Sequence, residues 1–136
     1  MASPDQVPIK LLGVLSPKDR AKVLAGAKRR TYQPGDEVVR EGDPGMHLYF
    51  VVSGHARVQQ AGPGWVGQLA PGDFFGELAL IEDHGRTATV IAEDELECLL
   101  IPAWEFRALL KEHPALANEL LHALIERLHR RERHRG

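Results

Sequence analysis

The spacing of hydrophobic residues along the chain changes twice, which divides it into three parts. Residues 8–30 carry apolar positions at helical spacing, and Ser16 followed by Pro17 predicts that a second helix begins there. From about residue 31 to residue 101, short apolar runs alternate with turn-forming residues. Beyond Pro102 the helical spacing returns. The pattern therefore predicts helices, then strands, then helices.

The basic residues Lys28, Arg29 and Arg30 are predicted to form the last turn of the second helix. Positive side chains are favourable there because the C-terminal end of a helix carries partial negative charge. Arg29 and Arg30 could instead form a basic patch for an anionic partner. We interpret them as solvated helix-end charges, which are more common than binding patches.

Short strands are predicted throughout the middle part of the chain. Turn signals separate them, such as the Pro-Gly-Asp sequences at residues 34–36 and 71–73. About seven or eight strands at a spacing of about 8 to 12 residues are typical of a small barrel or jelly roll, and not of a parallel α/β sheet. Six of these strands are placed in the sequence, at residues 37–40, 48–53, 56–60, 65–69, 87–92 and 97–101.

Two helices are predicted after the strands, divided at His113 and Pro114 because proline is tolerated in the first turn of a helix. The predicted fold class is mainly β with flanking helices. It consists of an eight-stranded jelly-roll barrel at about residues 31–101, with N-terminal helices before it and two C-terminal helices at about residues 103–131. We expect residues 1–136 to form a single domain, since this length is sufficient for one core.

Composition and charge limit the classes of function. A net charge of -2 over 136 residues gives no general attraction to nucleic acid or anionic membranes. Positive charge is concentrated in residues 127–135, which contain five arginines against the single glutamate Glu132. We interpret this segment as a solvated or interaction tail, because no DNA-binding motif accompanies it.

The single cysteine, Cys98, excludes an internal disulfide bond and is compatible with a reducing compartment. No apolar run approaches the ~20 residues that a membrane-spanning helix needs. The N-terminal residues lack the basic-then-apolar pattern of a secretory signal. We therefore expect a cytoplasmic protein.

The candidate binding chemistry is concentrated in residues 74–90. Gly76 and Glu77 precede a short apolar turn, and Arg86 and Thr87 follow nine and ten residues after the glutamate. Exposed backbone N–H groups at the start of a helical turn carry partial positive charge and suit a phosphate. An arginine adds full charge and paired donors, and a threonine hydroxyl adds one more hydrogen bond. The segment therefore predicts a site for one compact anion.

The sequence Gly-Glu-Leu-Ala-Leu at residues 76–80, followed by Arg-Thr-Ala-Thr at residues 86–89, resembles the phosphate-binding cassette of cyclic nucleotide-binding domains. Four further sequences resemble the turns and strands of that family's barrel, in the same order: residues 32–36, 40–45, 48–54 and 71–74. The resemblance covers about residues 9–130. Within the family, the chain resembles the sensor domain of catabolite-activator-like regulators and of protein kinase A regulatory subunits.

The resemblance implies a role for each residue of the cassette. Glu77 is expected to accept a hydrogen bond from the ribose 2'-hydroxyl, which suits an ionised carboxylate. Arg86 is expected to pair with an exocyclic phosphate oxygen, and Thr87 to lie beside it. Val58 and Val66 align with barrel positions that pack on the base. The remaining cassette positions surround the phosphate with backbone N–H groups: Gly76, Leu78, Ala79 and Ala88.

The last helix of the family lies over the base as a lid. Arg127 aligns with an arginine that related transcription activators place near the base. Arg131 and Glu132 stand where those proteins have small hydroxyl residues, so base recognition departs from the family pattern. Glu132 can accept a hydrogen bond from a base amino group; alternatively, both residues are solvated on a frayed helix end.

The implied function is that of a non-catalytic sensor that binds a cyclic mononucleotide and shifts its C-terminal helices. We expect cAMP as the ligand on family frequency, with cGMP as the alternative because Thr87 is compatible with guanine contact. No cofactor and no metal are expected. The expected partners are the nucleotide and, through the C-terminal helix, a second copy of the chain or an effector protein.

Three other readings of the sequence remain. The chain can be the truncated effector domain of a catabolite-activator-like transcription regulator, or a degenerate domain that binds no nucleotide. A metalloenzyme on the related cupin barrel would need clustered histidines. The seven histidines are instead scattered, and only His122 and His129 have a helical spacing that resembles a ligand pair.

Overall fold

The second N-terminal helix begins at Pro17, where the sequence predicts it to begin. The structure, a computed structural model, describes residues 10–42, 44–60, 67–77 and 88–135, with side chains as far as residue 129. A short 3-10 helix, Lys10–Val14, precedes helix α1, Pro17–Gly26. Ser16 caps α1, because its hydroxyl oxygen accepts the backbone N–H of Asp19 at 3.1 Å.

The prediction that Lys28, Arg29 and Arg30 end a helix is wrong. Helix α1 stops at Gly26, Ala27 is extended, and strand β1 runs over Lys28–Tyr32. Every residue of β1 pairs with strand β8, Leu96–Pro102, so backbone pairing with a distant strand overrides the local helical pattern. Arg29 forms an ion pair with Glu97 of β8, which gives one of these basic residues a partner.

The strands form two antiparallel sheets of four strands each, in the orders β1-β8-β3-β6 and β2-β7-β4-β5. This confirms the prediction of a mainly β protein with flanking helices, and the eight strands in the described part of the chain agree with the predicted number. The prediction is an eight-stranded jelly-roll barrel; the two sheets are separate and do not close into a barrel. The remaining strands are β2 Glu37–Val39, β3 His47–Ser53, β4 Ala56–Gln59, β5 Gly67–Leu69, β6 Phe74–Phe75 and β7 Thr89–Ala92.

The two central strands of the first sheet, β3 and β8, are buried on both faces. Alternate residues of a strand point to opposite sides, so each strand supplies two separate cores. One core lies between this sheet and the helices, and it includes Phe50 and Ile101. The other core includes Val51 and Cys98, and it also contains residues of the second sheet. The molecule is therefore layered, with helices packed on one face of a two-sheet β structure.

Two C-terminal helices follow the sheets, as predicted. Helix α2 spans Ala103–Glu112, and helix α3 spans Pro114–Arg135 with proline at its first position. Phe106 of α2 and Leu116 of α3 have no exposed surface and belong to the core under the helices. Helix α3 also contacts the N-terminal 3-10 helix. These contacts fix the first half of α3, and its second half extends toward the end of β6.

Candidate functional site

The candidate site begins at the end of strand β6, an edge strand of the first sheet. Phe74 and Phe75 pair with Phe50 and Tyr49 of β3, and the chain then turns at Gly76, whose φ of 87° is in the left-handed region. Glycine adopts this conformation without the steric cost that a side chain would bring. The turn leads directly to Glu77, which is about four-fifths buried.

Glu77 is bound by an arginine from the last helix. Nη1 of Arg127 donates to Oε1 of Glu77 at 2.9 Å, and the exposed fractions of the two side chains are 21% and 20%. Because both groups are largely removed from water, solvent and salt screen this pair less than a surface pair. The pair ties α3 to the loop that follows β6.

Arg127 also contacts the strand that leads to Glu77. Its second terminal nitrogen donates to the carbonyl oxygen of Phe74. Its guanidinium carbon lies 4.6 Å from the centroid of the Phe74 ring, within the range of a cation–π interaction. The planar guanidinium therefore has three partners, namely a carboxylate, a carbonyl and a ring face.

The other described end of the predicted cassette is Ala88, which is partly buried and directly precedes strand β7. The next residue, Thr89, accepts the backbone N–H of Glu41 on its hydroxyl oxygen at 3.0 Å. This bond attaches the loop after β2 to the end of the cassette. Val58, the predicted base contact on β4, pairs with Val90 of β7 and packs against the core that contains Cys98.

Several predicted site residues lie outside the described part of the chain, and several lie within it. Gly76, Glu77, Ala88, Val58 and Arg127 are described, and the structure joins Glu77 directly to Arg127. The backbone of Arg131 and Glu132 continues α3. The residues outside the described ranges are Leu78, Ala79, Arg86, Thr87 and Val66.

Sequence reasoning missed two residues that support the site, Phe74 and Thr89. Phe74 stands in the sequence as one of two adjacent aromatic residues after a turn, a signal that suits any buried strand. Its role in receiving Arg127 depends on the placement of a helix fifty-three residues later. Thr89 belongs to the cassette motif, but its bond to Glu41 spans forty-eight residues and leaves no local sequence signal.

The described residues contain no group of three or more His, Cys, Asp or Glu side chains that is arranged to hold a metal ion. His122 and His129 are both exposed on α3. Burial raises the pKa of Cys98 to about 12, so this thiol is protonated and unreactive at neutral pH. Among the described helices, none has the length and apolar character required to cross a membrane.

The model of the family described as the cyclic nucleotide-binding domain matches residues 29–113. The chain belongs to this family. The match covers both sheets, the cassette and helix α2, and it ends at the His113 step before α3.

The chain is similar to a cAMP-dependent protein kinase regulatory subunit of Debaryomyces hansenii, with 41% identity over 63% of the chain and 19% of that protein. It spans about a fifth of the length of the curated relatives it matches. The Thermus thermophilus catabolite activator protein has a TM-score of 0.75 and 31% identity over 88% of this chain and 58% of that one.

The regulatory domain of Toxoplasma gondii PKA, solved with cAMP, has a TM-score of 0.76 and 28% identity over 90% of this chain and 49% of that chain. The matching family and these relatives are regulatory and not catalytic. This confirms the prediction of a non-catalytic regulatory domain.

Proposed function

We propose that the chain is a cyclic mononucleotide sensor in which Glu77 binds the ribose and Arg127 reports its occupancy to α3. The observation that supports this most is the contact between these two side chains, made after the glycine turn that ends β6. Arg127 uses one oxygen of Glu77, and an ionised carboxylate has about four acceptor positions. A ribose 2'-hydroxyl can therefore bind Glu77 alongside Arg127.

Arg86 and Thr87 supply the charged and hydroxyl contacts to the cyclic phosphate in this proposal. Backbone N–H groups surround the remaining oxygens, as suits an anion at the start of a helical turn. Val58 and Val66 pack on the base, and Arg127 lies near it, with Arg131 and Glu132 at its edge. The backbone donors are those of Gly76, Leu78, Ala79 and Ala88.

The preferred ligand in this proposal is cAMP. Support comes from the similarity to a regulatory subunit named as cAMP-dependent and to a PKA regulatory domain solved with cAMP. The alternative ligand is cGMP, because Thr87 offers a hydroxyl that suits a guanine. The proposal requires no cofactor.

The signal in this proposal is a movement of the C-terminal helices. Ligand binding shifts a conformational equilibrium only if the two arrangements differ in affinity for the ligand. Arg127 provides that difference, since it belongs to α3 and binds the residue that receives the ribose. The first turns of α3 are held in the core by Leu116 and Leu120, so motion is expected beyond them.

In this proposal, the sensor regulates either a protein kinase or transcription. Similarity to a kinase regulatory subunit favours an effector protein as partner, and similarity to a catabolite activator favours the sensor half of a transcription regulator. Helix α3 exposes Leu121, Ile125 and Leu128, which suit contact with a second copy or an effector. We propose that residues 1–136 form one domain and that it acts in the cytoplasm.

Isothermal titration calorimetry with cAMP, cGMP and a cyclic dinucleotide tests the ligand assignment. We expect saturable binding of one mononucleotide per chain, with cAMP the tightest. The Glu77→Gln variant keeps the shape of the side chain and removes its charge, so it should weaken binding of the ribose by about 1.5 to 3 kcal/mol. Exposed Glu95, changed to Gln, is the matched control.

Three outcomes of the titration have distinct meanings. Tighter binding of cGMP than of cAMP would identify cGMP as the ligand and would leave the assignment of the site residues unchanged. If the nucleotide binds equally tightly to the unmodified protein and to Glu77→Gln, then Glu77 does not bind the ribose. Absence of heat with all three nucleotides, repeated by equilibrium dialysis, would favour a degenerate domain that acts only through protein contacts.

A further inference from the structure

Phe74 and Phe75 are adjacent residues of the two-residue strand β6, and their side chains lie in different cores. Phe75 stacks on Tyr49 with ring centroids 4.7 Å apart and lies in the core that contains Cys98. Phe74 lies in the core under the helices, where its ring carries the Arg127 guanidinium. The two rings are about equally buried, at 5% and 6% exposure, yet only Phe74 contacts the arginine.

A row of aromatic rings continues from Phe74 into helix α2. The centroids of Phe74 and Phe50 are 6.2 Å apart, and those of Phe50 and Phe106 are 6.0 Å apart. Phe50 and Phe106 have no exposed surface. Closely packed interiors resist small displacements, so the position of the Phe74 ring is set by the core beneath α2. The ring is thus a rigid platform rather than a mobile surface group.

Arg127 has several rotatable bonds and would occupy many rotamers without a platform. Contact of its guanidinium with a ring face and with the Phe74 carbonyl restricts it to the orientation in which Nη1 reaches Oε1 of Glu77. A leucine at position 74 would fill much of the same volume but would offer no π face. The ring therefore adds a specific orienting contact to its packing role.

We propose that Phe74 is a positioning residue for the nucleotide site, which holds Arg127 of α3 on Glu77 and so links ribose binding to the core under α2. This inference rests on the proposed function, because its consequence for affinity requires that Glu77 receives the ribose. Phe74 itself does not touch the ligand. It acts through Arg127, and removing the ring should affect binding only while the arginine is present.

A double-mutant cycle between Phe74 and Arg127, measured on cAMP affinity by calorimetry, tests this dependence. Phe74→Leu should weaken binding about two- to tenfold in the protein with Arg127, as expected for loss of one cation–π contact. In the Arg127→Met background the same change should alter the dissociation constant by less than about twofold, because the contact is already absent. An equal loss in both backgrounds would overturn the proposal.

Phe75→Leu is the matched control, since it removes an equally buried ring from the same strand without touching Arg127. It should lower the thermal stability by an amount similar to Phe74→Leu. Its effect on the dissociation constant should be the same with and without the Arg127→Met change. Coupling of Phe75 to Arg127 as strong as that of Phe74 would show a general packing effect and would overturn the proposal.

An NMR measurement without nucleotide separates failure of this inference from failure of the proposed function. Protons held over an aromatic face resonate upfield, so the Nε–H signal of Arg127 in the unmodified protein should lie upfield of the other arginine signals. Phe74→Met should abolish the shift, and Phe75→Leu should preserve it. A signal at the usual position in the unmodified protein would overturn the proposal even if cAMP binds, whereas the upfield signal in a protein that binds no nucleotide would refute only the function.

Discussion

Arg127 and Glu77 are fifty residues apart in the sequence, and their side chains meet at 2.9 Å. The contact joins the last helix to the loop that follows β6, and no other described contact links a charged group of α3 to the predicted cassette. The proposed ribose contact, Glu77, and the helix proposed to move, α3, are thus in direct contact. The proposed sensor requires such a connection.

Replacing Arg127 by methionine should weaken cAMP binding by about 1.5 to 3 kcal/mol, because Glu77 would lose a charged donor that orients it. Calorimetry measures the change. Arg57→Met is the matched control, since Arg57 is exposed on β4, and it should leave the dissociation constant unchanged. A gain in affinity would mean that Arg127 competes with the nucleotide for Glu77, contrary to the account.

Much of this arrangement follows from local sequence patterns. The cap at Ser16, the proline at the start of α3 and the apolar strands β3 and β8 depend on residues close together in the chain. The resemblance to the family predicts Glu77 as a site residue from the cassette, and Arg127 from its position in the last helix.

The features that sequence reasoning could not predict depend on distant contacts. Lys28 to Tyr32 form a strand only because β8 pairs with them, and the separation into two sheets depends on which strands pair. Strand spacing is the same for a closed barrel and for two sheets, so the pattern could not separate the two forms. Phe74 is identified as the platform for Arg127 only by the packing of α3.

Gly54→Ala should destabilise the fold by about 1 to 3 kcal/mol or more, because Gly54 has a φ of 84°. A Cβ at this position would also lie 2.2 Å from the carbonyl oxygen of Glu95. Urea unfolding measures the loss. Gly13→Ala is the matched control: its Cβ would meet nothing within 4 Å, so a stability change as large as that of Gly54→Ala would contradict the argument.

Cys98 should react with a thiol reagent only when the protein unfolds. It lies on β8, between β1 and β3, and burial raises the pKa of its thiol from 9.0 to about 12. At pH 8 the labelling rate should match the unfolding rate, whereas a cysteine introduced at exposed Arg57 should react at once. Rapid labelling of Cys98 in the folded protein would contradict its position.

The same pKa shift predicts how stability depends on alkaline pH. Since the thiol binds its proton more tightly in the folded protein, its contribution to stability is complete below about pH 9 and is lost as the pH rises toward 12. The difference in unfolding free energy between the unmodified protein and Cys98→Ala should therefore shrink in this range. A difference in unfolding free energy that stays constant over this pH range would refute the raised pKa of Cys98.

The contact between Asp94 and His55 should stabilise the fold more at neutral pH than at acidic pH. The ring Nδ1 of His55 lies 2.7 Å from Oδ2 of Asp94, and the His55 backbone N–H donates to Oδ1 at 2.7 Å. These bonds lower the pKa of Asp94 from its ordinary 3.8, so its contribution is complete above that value and is lost as the pH falls below it.

Urea unfolding of the unmodified protein and of Asp94→Ala measures this contribution. The gap between their unfolding free energies should be present at pH 6 and should narrow at pH 3. Glu95→Ala, at an exposed neighbouring position, should show no such narrowing. A gap for Asp94 that widens on acidification would contradict the assigned direction of the pKa shift.

Titration of cAMP into the unmodified protein and into Arg86→Ala tests whether residues 76–89 bind the cyclic phosphate of the nucleotide. Arg86 carries the charge of the proposed phosphate site, and its loss should weaken binding by about 2 to 5 kcal/mol, as expected for a buried charged bond. Arg57→Ala serves as the exposed control. We expect saturable binding to the unmodified protein and to the control, with binding to Arg86→Ala reduced by that amount; an unchanged dissociation constant for Arg86→Ala would contradict the proposed phosphate site.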